Sequence, residues 1–268
     1  MTLSNKNQQE DKSNAIIWLN SHKITLSKEI DTIDSTIFHK NSNFSFLSVY
    51  QIIIPSNIIF IDLSIMSKFS NLKTITVDEN NLHYSTKENI LYSKSQDILC
   101  FIPPKYQLST YKIPNEVISI ESSALTKYSN LEKINVDEGN LHFVSIEGIL
   151  FTKDLTNLIR YPPKNQCNKY CIPESVTTIG KYAFSDCTNL ITITIPTSVT
   201  TIGEYAFYEC SNLTTITIPT SVTTIGKYAF SNCSNLTSIG ITTDETNILE
   251  ILHQSIVARI FEHNKTYD

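Results

Sequence analysis

The chain has 268 residues, 41% of them apolar and 18% charged, which fits one large soluble domain or two small ones. Its net charge of −5 speaks against a general binder of nucleic acid or anionic membrane, which carries a basic excess. Six glycines, set against plentiful Ile, Ser, Thr and Asn, favour strands and polar turns over long helices.

Residues 1–13 are polar and expected to be disordered. The start lacks the positive-then-apolar pattern of a secretory signal, and no lipidation motif closes the chain. The expectation is therefore a cytoplasmic protein, with the cell surface by a non-classical route as the alternative. "AIIWLN", Ala15 to Asn20, is expected to lid one end of the fold with Trp18, so that residues 1–25 form a tail and N-terminal cap. A rung begins at Leu26, with Ile30, Ile33, Ile37 and Phe38 in phase. The most apolar stretch, Phe46 to Met66, is interrupted by Gln51, Pro55, Asn57 and Asp62 and reads as part of a repeat, not as a membrane span.

The repeat then dominates. Ile54-Pro55, Ile113-Pro114 and Ile172-Pro173 are 59 residues apart, giving long units 54–112 and 113–171. "VDENNLHYSTKENILYSK" from Val77 pairs with "VDEGNLHFVSIEGILFTK" from Val136. Each long unit reads as one 23-residue rung followed by a 36-residue insertion, whose short alternating apolar segments predict a β-hairpin. From Ile172 the period shortens to 23, with regular rungs 172–194, 195–217 and 218–240. Val176, Val199 and Val222 keep phase, as do Gly180, Gly203 and Gly226, Phe184, Phe207 and Phe230, and Cys187, Cys210 and Cys233. Within a rung, Leu213, Ile216 and Ile218 alternate with Thr215 and Thr217, which is strand periodicity with one buried face. Val222 and Ile225 predict a second short strand on the opposite wall, Gly226 a turn, and Ala229-Phe230 a single helical or 3₁₀ turn dropped into the core. No rung buries these side chains alone; stacking on its neighbours does. Residues 243–268 hold apolar residues at helical spacing between Asn247 and Phe261, which predicts a capping helix over the last rung, followed by a tail.

"IPTSVTTIGEYAFYECSNLTTITIP" resembles the BspA-like leucine-rich repeat, found in bacterial surface proteins and parasitic protists, and "NLHFVSIEGILFTKDLTNLIRYPP" resembles that family's longer unit. The likeness covers residues 26–242. It implies a mainly β, curved leucine-rich-repeat solenoid with short helical turns and hairpin insertions, and a binding role, often at a cell surface.

Signals for chemistry are sparse. Cys187, Cys210 and Cys233 form a ladder along one axis, which suits a buried spine and not the convergent ligands of a zinc site. Cys167 and Cys171 lack a second ligand pair nearby. His83 and His142 are duplicated with their units, and Asp78-Glu79 and Asp137-Glu138 recur as turn residues. No nucleotide-binding, hydrolase or metalloprotease motif appears, so neither a catalytic residue nor a cofactor or metal site is assigned.

The residues expected to meet a protein partner are the outward strand positions Thr74, Thr76, Lys133, Asn135, Thr192, Thr194, Thr215 and Thr217, together with Phe101 and Arg160 on the insertions. The insertions also carry Tyr84, Tyr92, Tyr106, Tyr161 and Tyr170, and tyrosine is a frequent interface anchor. The expected function is a non-enzymatic protein–protein interaction module. The alternatives are a structural part of a stable intracellular assembly, such as a cytoskeletal array, or a surface adhesin.

Overall fold

The computed structural model describes residues 15–39, 44–106 and 109–241. The expected N-terminal tail and the C-terminal capping helix lie outside the described residues. The chain divides into two compact units, residues 1–105 and 106–268.

The first unit contains strands β1 (Ile16–Asn20), β2 (Lys23–Leu26), β3 (Thr32–Ile33), β4 (Gln51–Ile54), β5 (Phe60–Ile61), β6 (Thr74–Val77), β7 (Tyr84–Lys87), β8 (Ile90–Ser93) and β9 (Ile98–Phe101), with two short helices, α1 (Ser35–His39) and α2 (Leu63–Met66). The second contains β10 (Thr110–Ile113), β11 (Ser119–Ile120), β12 (Lys133–Val136), β13 (Phe143–Ile146), β14 (Ile149–Thr152), β15 (Asn157–Arg160), β16 (Lys169–Cys171), β17 (Thr178–Ile179), β18 (Thr192–Thr194), β19 (Thr201–Ile202), β20 (Thr215–Ile218), β21 (Thr224–Ile225) and β22 (Ser238–Ile241). Each unit is a stretch of leucine-rich-repeat solenoid, mainly β, with two walls of parallel strands facing one core.

In the second unit the Ile-x-Ile strands form the first wall, in the order β16-β18-β20-β22 beside a separate pair β10-β12. The second wall follows β13-β14-β15-β17-β19-β21. Stacking is strictly in phase: Thr192 sits opposite Thr215, Thr215 opposite Ser238, and Thr178, Thr201 and Thr224 align in turn. Phe184, Phe207 and Phe230 stack at 5.0 and 5.3 Å, nearly parallel, and Tyr161 continues the column at 5.2 Å. Cys187, Cys210 and Cys233 are buried and outside any disulfide, and the last two each donate to a carbonyl one rung back at 3.0 Å.

The rung glycines work differently from the expected turn. Their φ is not positive; a Cβ on Gly203 would lie 2.6 Å from the Lys181 nitrogen, and one on Gly226 2.3 Å from that of Glu204. Glycine is needed because adjacent rungs touch backbone to backbone there. The left-handed conformation falls two residues later, on Tyr182, Tyr205 and Tyr228, at φ 59°, 55° and 58°. These tyrosines stack on one another at 5.1 Å, with interplanar angles of 6° and 19°. The Ala-Phe segment that follows is a run of turns, not a helix.

Two expectations about elements are corrected. The expected hairpin is present as β13–β14, but the 36-residue segment is not an insertion appended to a rung. It is itself a rung, in which a three-stranded antiparallel meander, β13-β14-β15, replaces the short second-wall strand. β15 then pairs in parallel with β17, so the meander lies within the wall. In the first unit β7, β8 and β9 repeat the arrangement. Each long unit is thus two rungs, 23 and 36 residues long, because Val77 and Val136 stand at the strand-ending position that Ile fills elsewhere. The N-terminal lid is a strand: β1 pairs antiparallel with β2 and covers its backbone edge, leaving Trp18 39% exposed.

Buried polar groups are matched to this backbone. Asn81 and Asn140, both 0% exposed, occupy the same place in the two long units. The Asn140 amide donates to the carbonyls of Pro114 and Val117 at 2.7 and 2.9 Å and accepts from the amides of His142 and Phe143 at 2.9 and 2.8 Å. Asn81 does the same with Pro55, Ile58, His83 and Tyr84. Each clamps the entry of its meander to the preceding rung.

Candidate functional site

Alternation decides what the first wall shows. Ile193, Ile195, Ile216 and Ile218 are buried, while Thr194, Thr215, Thr217, Lys133 and Asn135 are exposed and Thr192 is half-buried. In the first unit Ile75 is buried, Thr76 exposed and Thr74 half-buried. These outward positions stand where strand periodicity places them.

Phe101 and Arg160 do not. They are 0% and 2% exposed, so neither meets a partner at the surface. The last residue of the meander occupies the slot filled by Ala183 in the next rung, and its side chain points to the core. Most of the insertion tyrosines follow the same rule: Tyr92, Tyr106 and Tyr161 are buried, and Tyr84 and Tyr170 are half-buried. A two-residue period cannot show that both faces of a central strand are covered.

A groove forms where the meander meets the first wall. The β13–β14 hairpin turns on Glu147 and Gly148, at φ 53° and 82°, as a two-residue turn with both residues left-handed. Its tip closes the open edge of β12: the Ile134 amide donates to the Gly148 carbonyl at 2.8 Å, and the Ser145 hydroxyl donates to the Ile134 carbonyl. A Cβ on Gly148 would stand 3.0 Å from Cγ of Lys133, so tip and strand are in close contact. Beside this junction lies an open cavity of about 630 Å³, lined by Lys112, Asn135, Asp137, Glu138, Ser145 and Glu147, among others.

Asn135 lies directly opposite Lys112 in the β10–β12 pair, and Lys112 forms an ion pair with Asp137. Glu138 and Glu147 are exposed, so the lining carries an acidic excess. The Glu147 charge reaches half-buried Tyr170, whose phenol is pushed up mainly by burial and then by this carboxylate. Of the groove residues, the outward-facing rule finds Asn135 and the flanking Lys133. Lys112, outward on β10 opposite Asn135, obeys the same rule but is absent from the expected set; Glu138, Ser145 and Glu147 lie off the first-wall strands and escape it, although a glycine between two apolar runs is a turn signal.

Among the described residues, no group of three or more His, Cys, Asp or Glu side chains is placed to hold a metal ion, and no helix is long and apolar enough to cross a membrane.

Stacked rungs with paired Ile-x-Ile and Val-x-x-Ile strands and a phenylalanine column define a leucine-rich-repeat protein. The chain belongs to the BspA type leucine rich repeat family, matching it in six copies over residues 3–98, 99–166 and 161–256. A leucine-rich repeat protein from Eubacterium ventriosum is similar in structure, with a TM-score of 0.59 and 26% identity. The match covers 83% of this chain, which spans 60% of that protein. The pneumococcal vaccine antigen PcpA is 26% identical, over 74% of this chain and 52% of the antigen, at a TM-score of 0.47. A leucine rich cell surface protein from Faecalibacterium prausnitzii matches over 88% of both chains at 19% identity and a TM-score of 0.33. No curated protein matches the sequence.

Proposed function

We propose that the chain is a protein-binding module that performs no reaction of its own, and that its partner docks on the first wall around the groove beside the Glu147–Gly148 turn. The groove carries this reading: an open cavity of about 630 Å³, where the meander meets the outward positions of β12. Its exposed groups are an ion pair, turn carboxylates and amides, which suit recognition of a polar surface. Membership of a repeat family used for interaction supports the same reading. The Thr-lined strands β18 and β20 continue the polar face, and their Thr–Thr pairs stiffen the sheet by a few tenths of a kcal/mol each.

The test begins with proximity labelling in the native cell to identify the partner. Its affinity is then measured for the double variant Asn135→Arg/Glu147→Arg and for Lys227→Glu, a charge reversal at an exposed turn after the second-wall strand β21. The double variant is expected to weaken binding at least about tenfold, a loss of about 1.4 kcal/mol, with Lys227→Glu unchanged. Equal affinities for both folded variants would remove the groove from the interface.

A further inference from the structure

Arg160 ends β15 and is 2% exposed, inside the core of the second unit. The matching slot of the first unit holds Phe101. One copy of the long unit therefore places a ring where the other places a cation. Nη1 of Arg160 donates to the Tyr182 carbonyl. Nε and Nη2 are buried without a hydrogen-bond partner among the described residues. They share one edge of the guanidinium, the edge that grips an anion side-on with two parallel N–H groups.

No carboxylate among the described residues forms an ion pair with the guanidinium. The ion pairs among the described residues are Lys112–Asp137 and Lys181–Glu204. Asp186 is the carboxylate whose field reaches Arg160, and its Oδ2 accepts from the Ser185 hydroxyl at 2.8 Å. The other near groups are the thiols of Cys187 and Cys210. A guanidinium does not lose its proton inside proteins, so the group cannot become neutral as a buried lysine can. An unpaired buried cation strongly opposes folding unless an anion joins it.

We propose that the Nε–Nη2 edge of Arg160 is a binding site for one small monovalent inorganic anion of the chloride type. A single charge matches the single cation. The guanidinium is buried in the core beside the thiols of Cys187 and Cys210, where a small anion without a carbon skeleton displaces the least. Sulfate and phosphate carry more charge and more strongly hydrated oxygens, and their desolvation in this core is more costly.

The site is tested with the full chain in two ways. Crystals grown in sodium bromide are expected to show an anomalous scattering peak beside Nε and Nη2 of Arg160. Thermal melts in sodium chloride are compared with melts in sodium gluconate at equal ionic strength. The melting temperature should rise linearly with the logarithm of chloride concentration, because an anion bound only by the folded state shifts the equilibrium by mass action. Arg160→Phe, which copies the first unit, should lose this response; Arg160→Met serves the same purpose if the ring does not fit. Asp186→Asn should keep it. Absence of a bromide peak, or an unchanged chloride response in the Arg160 variants, overturns the proposal. Loss of the response in Asp186→Asn also overturns it, by tying the anion effect to Asp186.

Discussion

At the scale of single residues, the facing of the first-wall strands was legible and the roles of the buried polar groups were not. Phe207 recurs in phase and is 0% exposed; Thr215 alternates with buried Ile216 and is exposed. Phe207→Ala is expected to cost about 3–5 kcal/mol through the cavity it leaves between two stacked rings. Thr215→Ser should change stability by less than about 0.5 kcal/mol, and denaturant titration of both variants checks the facing of the strand. Asn140 reads as one more polar turn residue in sequence, because its value lies in four bonds to backbone groups from two segments. Asn140→Ala leaves two carbonyls and two amides without partners and should cost about 3 kcal/mol or more, measured the same way. The carboxylates at the second turn of each meander show the reverse. Asp154 accepts from the hydroxyls of Thr152 and Thr156, while in the first unit the acid moves to Asp97 and the hydroxyls to Ser93 and Ser95. The hydrogen bonds hold both carboxyls below their ordinary 3.8, led by Thr152 at Asp154 and by Ser93 at Asp97. A folded-state pKa below the unfolded one adds stability above the unfolded value, and that stability is lost as pH falls through the folded value. An NMR titration should therefore place both midpoints below 3.8, and Thr152→Val should move Asp154 upward and leave Asp97 in place.

At the scale of elements, the 23-residue rungs could be read almost completely, since each strand ends on Ile-Pro and each core position keeps its phase. The longer rung was legible in length but not in kind. Its first-wall strand ends on Val136-Asp137, which lacks the proline, so the 36 residues that follow read as an insertion and not as a rung. The meander strands are also buried on both faces at Leu150, Phe151 and Leu158, so they lack the alternation that reveals a one-sided strand. The hairpin tip depends on Gly148. A β-branched residue there meets both the left-handed φ and the Lys133 side chain, so Gly148→Val should loosen the tip from β12 and raise hydrogen exchange at the Ile134 amide. The cysteines separate by element in the same manner. Cys167 precedes the first-wall strand β16, Cys171 ends it, and both are exposed; Cys100, Cys187, Cys210 and Cys233 are buried, and burial pushes the Cys210 thiol up. A thiol reagent should label Cys167 and Cys171 in the native protein and the other four only after denaturation.

At the scale of the whole molecule, stability is the sum of rungs and of the contacts between them. In the second unit one apolar cluster runs without a break from Ile149 to Cys233. Excising residues 195–217 removes one period and joins Thr194 to Ile218 in phase, so the shortened chain should fold with its strand signature intact and melt at a lower temperature. Excising one residue fewer shifts every following side chain to the opposite face of its strand and should abolish cooperative melting. Circular dichroism of the two deletions checks both outcomes.

The tyrosine column gives the molecule an optical property as well as a packing one. Tyr182, Tyr205 and Tyr228 lie 5.1 Å apart with nearly parallel rings, and each is fixed by a left-handed backbone. At that separation the electronic transitions of neighbouring phenols no longer act independently. They mix into delocalised states whose rotational strengths are of opposite sign, so the array should add a paired positive and negative band to the circular dichroism of the protein's separate chromophores.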